Sequence, residues 1–213
     1  MTSDTVKKMK RSNGKKVLKN LNKPTTKKVE PINTDGCWVY ILLLSTIVIL
    51  GQSLKGYTFS LENVTLTYSI FILPFVYFIA NYIAKKYGYG KAIVGISISG
   101  VVMVLFGLIM SFATGQGFSF YDVCGDFCGY VISQLVNLTI YEFLLNNTTT
   151  PFILMFLTYV FSLVVFNLFY TLIYMDTLIF DNYWISYFSA LIFQGIVCFL
   201  LTFFDGNIKR GIE

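Results

Sequence analysis

Six long apolar stretches divide this chain of 213 residues, and they restrict its fold more than any other feature. A bilayer core about 30 Å thick requires roughly 20 apolar residues per helix. Lipid offers the backbone no hydrogen-bond partners, so segments of this kind cross it as helices. The stretches lie at about Cys37–Ser53, Thr65–Ala84, Ala92–Thr114, Phe127–Leu145, Phe152–Met175 and Trp184–Phe204. The sequence therefore predicts an all-α polytopic membrane protein, a bundle of six transmembrane helices with short connections.

Composition supports a membrane protein and argues against an enzyme. The chain is 55% hydrophobic and 13% charged, whereas soluble domains carry about 25% charged residues. It contains no histidine, which excludes a histidine general base and a histidine-containing metal site. We find no nucleophile paired with a base and no phosphate-binding glycine loop in the required context. We therefore predict no catalytic residues, no metal site and no cofactor.

The chain divides into two predicted regions, a tail at residues 1–36 and a transmembrane domain at residues 37–208. Ten of the 16 Lys and Arg residues fall within residues 1–28, among Asn, Thr and Ser with little to bury, and such composition predicts disorder. A basic segment beside a membrane is attracted to anionic lipid by about 1 kcal/mol per lysine. Docking to a partner or to RNA is the less favoured alternative, and our prediction includes no nucleic-acid partner.

The distribution of basic residues predicts the orientation, since cytoplasmic loops are enriched in Lys and Arg. With six helices and the N-terminus inside, fifteen of the sixteen basic residues lie on the cytoplasmic side and Lys55 alone lies outside. We therefore predict a multi-pass protein of the plasma membrane with both termini in the cytoplasm. Cys124 and Cys128 are predicted to lie in an outer loop, where a disulfide is possible and a zinc site is unfavourable because further ligands are lacking.

Three of the predicted helices each carry amide and tyrosine side chains one turn apart, which places them on one helical face. Amides offer both hydrogen-bond donors and acceptors, and tyrosine rings offer faces for stacking. Such a set suits a flat, uncharged ligand such as a purine-like base, although amides between membrane helices also bond simply to each other. The predicted substrate-binding residues are Tyr77, Asn81, Gln134, Asn137, Tyr141, Asn167 and Tyr170.

Two further features concern packing. Pro74 falls inside the second predicted helix, where it would remove a backbone hydrogen bond and kink the helix. The third helix begins with a run of small residues, for which we predict close helix packing. These residues are Gly95, Ser97, Ser99 and Gly100.

Three segments of the chain resemble the vitamin uptake transporter (VUT) family, the queuosine precursor transporters. The first is "YSIFILPFVYFIANYIAKKYGYGKA" at Tyr68–Ala92, in which Pro74, Tyr77, Asn81, Tyr87, Gly88, Lys91 and Ala92 match in kind and spacing. The second is "YVISQLVNLTIYEFL" at Tyr130–Leu144, with Ser133, Gln134, Asn137 and Tyr141 in place. The third is "VVFNLFYTLIY" at Val164–Tyr174, with Asn167, Phe169 and Thr171.

This resemblance implies uptake of 7-deazaguanine bases, precursors of the tRNA nucleoside queuosine, across the bacterial inner membrane by secondary or facilitated transport. The family tends to have aspartate where this chain has Asn81 and Asn167, so proton coupling would depend on Glu142 or on an outer acidic residue, or be absent. Two alternatives remain: the substrate-binding subunit of an energy-coupling-factor importer, and a non-transporting membrane scaffold. A homodimer is possible.

Overall fold

A computed structural model describes residues 36–61, 64–114, 120–147, 151–174 and 183–206. These ranges contain a bundle of six α-helices, which confirms the all-α polytopic fold predicted from the sequence. The helices are α1 (Cys37–Leu54), α2 (Leu73–Tyr87), α3 (Tyr89–Thr114), α4 (Phe120–Asn147), α5 (Pro151–Tyr174) and α6 (Tyr183–Gly206). The predicted disordered tail at residues 1–36 lies, apart from Gly36, outside the described residues, so its disorder stays a prediction.

Five helical segments of the described chain are long and apolar enough to cross a membrane, and α5 adds a shorter apolar stretch, Phe156–Phe169, within its 24 residues. The outer faces of these helices leave large apolar side chains uncovered, among them Leu42, Phe112 and Ile192, which are 67%, 81% and 65% exposed. Such extensive apolar surface is unfavourable in water and is typical of contact with lipid or another protein. The chain is therefore a membrane protein.

Helix α2 lies at the centre of the bundle and packs against each of the other five helices. Consecutive helices run in alternating directions, so the bundle has two ends. We call the end where α1 stops and α2 starts the hairpin end, and the opposite end, where α2 stops at Lys85, Lys86 and Tyr87, the lysine end. The two residues of α2 predicted to bind substrate, Tyr77 and Asn81, therefore lie in the interior of the bundle, where both are fully buried.

The hairpin end carries a feature absent from the sequence prediction, an antiparallel pair of strands, β1 (Thr58–Leu61) and β2 (Val64–Thr67). The prediction that the second helix begins at Thr65 is therefore wrong. Apolar and polar residues alternate along β2, and this period of two favours a strand over a helix. Leu66 of β2 packs with Ile70 and with Ala190 of α6, so the hairpin is held against the end of the bundle by apolar contacts.

The predicted kink at Pro74 is also wrong. The chain leaves β2 through a short 3-10 helix at Tyr68–Phe71, and α2 starts at Leu73, so Pro74 occupies its first turn. Backbone N–H groups in the first turn have no partner within the helix, so proline costs no helical hydrogen bond there. At the other end of α2, Gly88 has φ +92° and its N–H donates to the carbonyl of Ala84. This φ is open to glycine and strained for other residues, which explains why the helix ends here.

The small residues of α3 pack closely, as predicted, with one exception. A Cβ placed on Gly95 would lie 3.3 Å from Ile41 of α1, and one on Gly100 would lie 2.9 Å from the ring of Phe127 of α4. Ser99 is buried, and its hydroxyl lies 2.6 Å from that of Tyr130. Ser97, by contrast, is exposed. The face thus joins α3 to α1 and to α4, but Ser97 is not part of it.

Candidate functional site

The described residues surround a cavity of about 140 Å³ in the hairpin half of the bundle. A single water requires about 10–15 Å³ on the same measure, so the cavity has room for roughly ten water-sized groups. The end of α1, strand β2, the start of α2 and parts of α4, α5 and α6 form its wall. Its apolar lining includes Val48, Leu73, Val76, Met103 and Phe166, and its polar lining includes Gln52, Lys55, Ser69, Asp126, Asn167 and Gln194. The cavity is thus mostly apolar with a few hydrogen-bonding groups, which is typical of small-molecule sites.

An ion pair borders this cavity at the hairpin end. The Nζ atom of Lys55, just after α1, lies 2.7 Å and 2.6 Å from the two carboxylate oxygens of Asp126 on α4. The two side chains are only 24% and 13% exposed. The pair therefore joins the end of α1 to α4.

A pair of amides lies deeper in the cavity wall. Asn167 of α5 is 9% exposed and donates from Nδ2 to Oε1 of Gln194 on α6 at 2.8 Å. The same Nδ2 donates to the carbonyl of Leu163, also at 2.8 Å. The donors of Asn167 are thus engaged within the protein, while its Oδ1 and the Nε2 of Gln194 remain as groups that can face a ligand. Of the six predicted site residues whose side chains the structure describes, Asn167 is the one that lines this cavity.

Asn81 and Asn137 form a closed pair on two facing helices. Asn81 Nδ2 donates to Asn137 Oδ1 at 3.2 Å, and Asn137 Nδ2 donates to Asn81 Oδ1 at 2.7 Å. Both residues are 0% exposed. Each amide donates one hydrogen bond to the other and accepts one in return, so both amides have a partner in an apolar interior. The structure therefore realises the alternative in which these amides bond to each other across α2 and α4.

Gln134 is fully buried on α4, one turn before Asn137, and its amide has no hydrogen-bond partner among the described residues at either Nε2 or Oε1. A buried amide without a partner is unfavourable in an apolar interior, and such groups are rare in folded proteins. Tyr141 is buried further along the same helix. The predicted spacing of Gln134, Asn137 and Tyr141 thus does place them on one inward face of α4.

The two remaining predicted tyrosines differ in what the structure describes. Tyr77 is fully buried in an apolar cluster with Tyr159, Leu163 and Cys198, and its hydroxyl donates to the carbonyl of Ser162 at 3.2 Å. It therefore joins α2 to α5 and does not line the cavity. Tyr170 lies on α5, but its side chain is outside the part of the chain that the structure describes.

Sequence reasoning missed several polar residues of the cavity, of which Gln194 is the clearest. It is a lone amide in the apolar segment "LIFQGIV" of α6, and a polar group inside a membrane helix signals a partner or a site. That rule singled out Asn167 and applies equally to Gln194. Lys55 was noted only as an outer charge and Asp126 was not singled out, because nothing in the sequence shows that they meet.

The two loop cysteines are placed differently from the prediction. Cys124 and Cys128 lie on α4 rather than in a loop, and both are free thiols in the structure. The described residues contain no cluster of three or more side chains suited to hold a metal ion. Because Cys124 and Cys128 are both free, the disulfide considered between these two residues is not formed.

At the lysine end, a group of tyrosines surrounds Lys86. Its Nζ lies 5.3 to 5.4 Å from the ring centres of Tyr40, Tyr82 and Tyr87 and donates to the hydroxyl of Tyr82 at 3.1 Å. The Tyr82 hydroxyl donates in turn to that of Tyr40 at 3.0 Å. Cations over aromatic faces are attracted to the ring electrons, so this group fastens the end of α2 to α1.

Comparison of the chain with protein-family models, with curated proteins and with solved structures found no match. The resemblance to the VUT family therefore rests on the three quoted segments, and the function must be argued from the cavity and the polar side chains around it.

Proposed function

We propose that this protein is a transporter that imports a small planar metabolite, a queuosine precursor of the 7-deazaguanine type, by secondary or facilitated transport. The observation that carries the proposal is the cavity of about 140 Å³ inside a membrane bundle, with the Asn167–Gln194 pair in its wall. A scaffold protein would have no use for a cavity lined by hydrogen-bonding groups among membrane helices, where buried polar groups are costly and commonly serve transport.

The chemistry of the wall supports the choice of an uncharged planar ligand. Amide groups of Asn167, Gln194 and Gln52 offer hydrogen-bond donors and acceptors, and the rings of Tyr130 and Phe166 offer apolar surface. A 7-deazaguanine base presents a lactam edge with both a donor and an acceptor, together with a flat ring system. The lysine and aspartate of the wall neutralise each other, so they create no net charge that would select an ion.

The proposal places the protein in the plasma membrane with its termini and the lysine end in the cytoplasm, so the cavity opens toward the outside. This orientation is supported by the position of Lys55, the lone basic residue of the proposed outer side. Asp126 is a carboxylate in the cavity wall and is a candidate for coupling transport to protons. Transport that does not depend on a proton gradient would instead identify the protein as a facilitator.

Complementation tests the proposal. Bacteria that lack queuosine synthesis and uptake are supplied with a 7-deazaguanine base, and their tRNA is assayed for queuosine with and without this protein. We expect queuosine to appear with the wild-type chain and to be lost with Asn167→Leu and with Gln194→Leu. Thr46→Val, which changes an exposed threonine on α1, is the matched control and should support full uptake.

Absence of queuosine from the tRNA would contradict the proposal. If the protein reaches the membrane and no queuosine forms, this chain alone does not import the base. Queuosine that forms only after co-expression of an energy-coupling module would instead identify the chain as a substrate-binding subunit.

A further inference from the structure

One face of α4 carries a line of buried polar side chains that continues beyond the cavity. Asp126, Tyr130, Gln134, Asn137 and Tyr141 follow each other at spacings of three or four residues, which places them on one side of the helix. At 1.5 Å per residue the line is about 22 Å long, most of the thickness of a bilayer core. Asp126 and Tyr130 line the cavity, and the other three lie beyond it toward the lysine end.

Gln134 occupies the first position beyond the cavity, about 6 Å along the helix from Tyr130. It is fully buried, and neither its Nε2 nor its Oε1 has a hydrogen-bond partner among the described residues. A donor and an acceptor are thus held next to each other without a partner in the part of the chain that the structure describes. This pairing matches the chemistry that the cavity offers at Asn167 and Gln194.

Immediately beyond Gln134, Asn137 of this line pairs with Asn81 of α2. Two reciprocal hydrogen bonds join these amides between α2 and α4, and both are fully buried. The pair differs from Gln134 in that each of its amides donates a hydrogen bond to the other and accepts one from it. A ligand that moved along the face of α4 would have to separate these two residues in order to pass.

We infer that Gln134 is a second, deeper binding position for a ligand with a donor–acceptor edge, and that the Asn81–Asn137 pair is the gate that closes this position from the lysine end. This inference rests on the proposed transport function. It assigns different roles to neighbouring amides: Gln134 binds the ligand, whereas Asn81 and Asn137 block the path when they bond to each other. Opening exchanges the bonds of the pair for bonds to the passing ligand, so the buried groups stay paired throughout.

Thiol labelling tests the gate without knowledge of the substrate. The four native cysteines are replaced by alanine, and Gln134→Cys serves as the reporter in right-side-out and inside-out membrane vesicles. A membrane-impermeant thiol reagent should modify it at least tenfold faster from the hairpin side than from the lysine side. Adding Asn137→Ala should raise the rate from the lysine side at least tenfold. Equal rates from both sides with the pair intact, or no increase after Asn137→Ala, would overturn the inference.

Two control variants separate gate opening from loss of structure. Asn167→Ala breaks the other amide pair, in the cavity wall, and should leave the rate from the lysine side unchanged. Asn81→Asp keeps an oxygen that can accept from Asn137 Nδ2, and it should also leave that rate low. A rise with Asn167→Ala equal to that with Asn137→Ala would mean that the helices separate generally, which would contradict a specific gate.

The binding role of Gln134 has its own measurement. A saturating concentration of a 7-deazaguanine base should slow labelling of Ser133→Cys, a fully buried neighbour of Gln134 on α4, from the hairpin side at least fivefold, and Gln134→Leu should abolish this protection. If one-sided labelling and the effect of Asn137→Ala are found but the base gives no protection, the gate stands and the second binding position is refuted for this base, whereas complementation decides separately whether the base is transported. If protection is found without one-sided labelling, the binding position stands and the gate is refuted.

Discussion

Paired polar side chains occur in both halves of the bundle, but they border a cavity in one half and are enclosed in the other. In the hairpin half, the Asn167–Gln194 pair and the Lys55–Asp126 pair border a cavity, so each retains a side that a ligand or water can reach. In the lysine half, the Asn81–Asn137 pair is fully buried and the tyrosines around Lys86 fasten α2 to α1. Polar groups in this protein therefore hold helices together where they are enclosed, and they line the cavity where the helices separate.

The largest expected effect on the free energy of unfolding comes from removing one member of the Asn81–Asn137 pair. Asn81→Leu leaves the amide of Asn137 buried without a partner, which should lower the free energy of unfolding by about 1–3 kcal/mol. The double variant Asn81→Leu/Asn137→Leu should recover most of this loss, since no unpaired amide remains. Unfolding in mixed detergent micelles measures both. If the single variant is as stable as the wild type, the lysine half is not closed by this pair.

Removal of the ion pair in the hairpin half should have the next largest effect. Lys55→Ala should lower the free energy of unfolding by about 1 kcal/mol, the upper end for such pairs, because the two side chains are mostly buried. The exchanged variant Lys55→Asp/Asp126→Lys should restore part of it. The same unfolding assay is repeated at low and high salt, where partial screening should reduce the difference. An identical loss in the exchanged variant would argue that the pairing itself is unimportant.

The tyrosines around Lys86 at the lysine end should contribute somewhat less to the free energy of unfolding than the Lys55–Asp126 pair. Lys86→Met keeps an apolar side chain of similar length but removes the charge over three rings, which should cost about 0.5–1 kcal/mol. Lys86→Arg, which keeps a cation, is the matched control and should remain close to the wild type. Thermal unfolding of the detergent-solubilised protein distinguishes them. Should both variants melt at the wild-type temperature, the rings do not hold α2 through the cation.

The smallest effect on stability is expected at the cavity pair. Asn167→Leu should lower the free energy of unfolding by only about 0.6 kcal/mol, the average for hydrogen bonds between membrane helices, because Gln194 can then bond to water in the cavity. The loss should be clearly smaller than for Asn81→Leu, whereas uptake should fall strongly. Equal losses at the two sites would remove the distinction between the two halves.

Hydropathy was sufficient to predict the six helices and the class of protein, because burial in lipid requires a long apolar segment at every crossing. The boundaries were less well predicted where local pattern and hydropathy disagreed. The segment Thr58–Thr67 was read partly as helix, although its alternation fits the strands that form there. The prediction for Pro74 was wrong for the same reason, because the true start of α2 turns an interior proline into a first-turn residue.

Periodicity along each helix was sufficient to place Gln134, Asn137 and Tyr141 on one inward face of α4, since that property depends on one helix alone. Which amides would bond together was decided only by the tertiary structure. Asn81 and Asn137 are separated by 56 residues along the chain, and Asn167 and Gln194 by 27. Their pairing depends on the rotation and depth at which α2 packs on α4 and α5 on α6. The same packing leaves Gln134 without a partner among the described residues and leaves a cavity between the helices, and neither feature can be read from one helix alone.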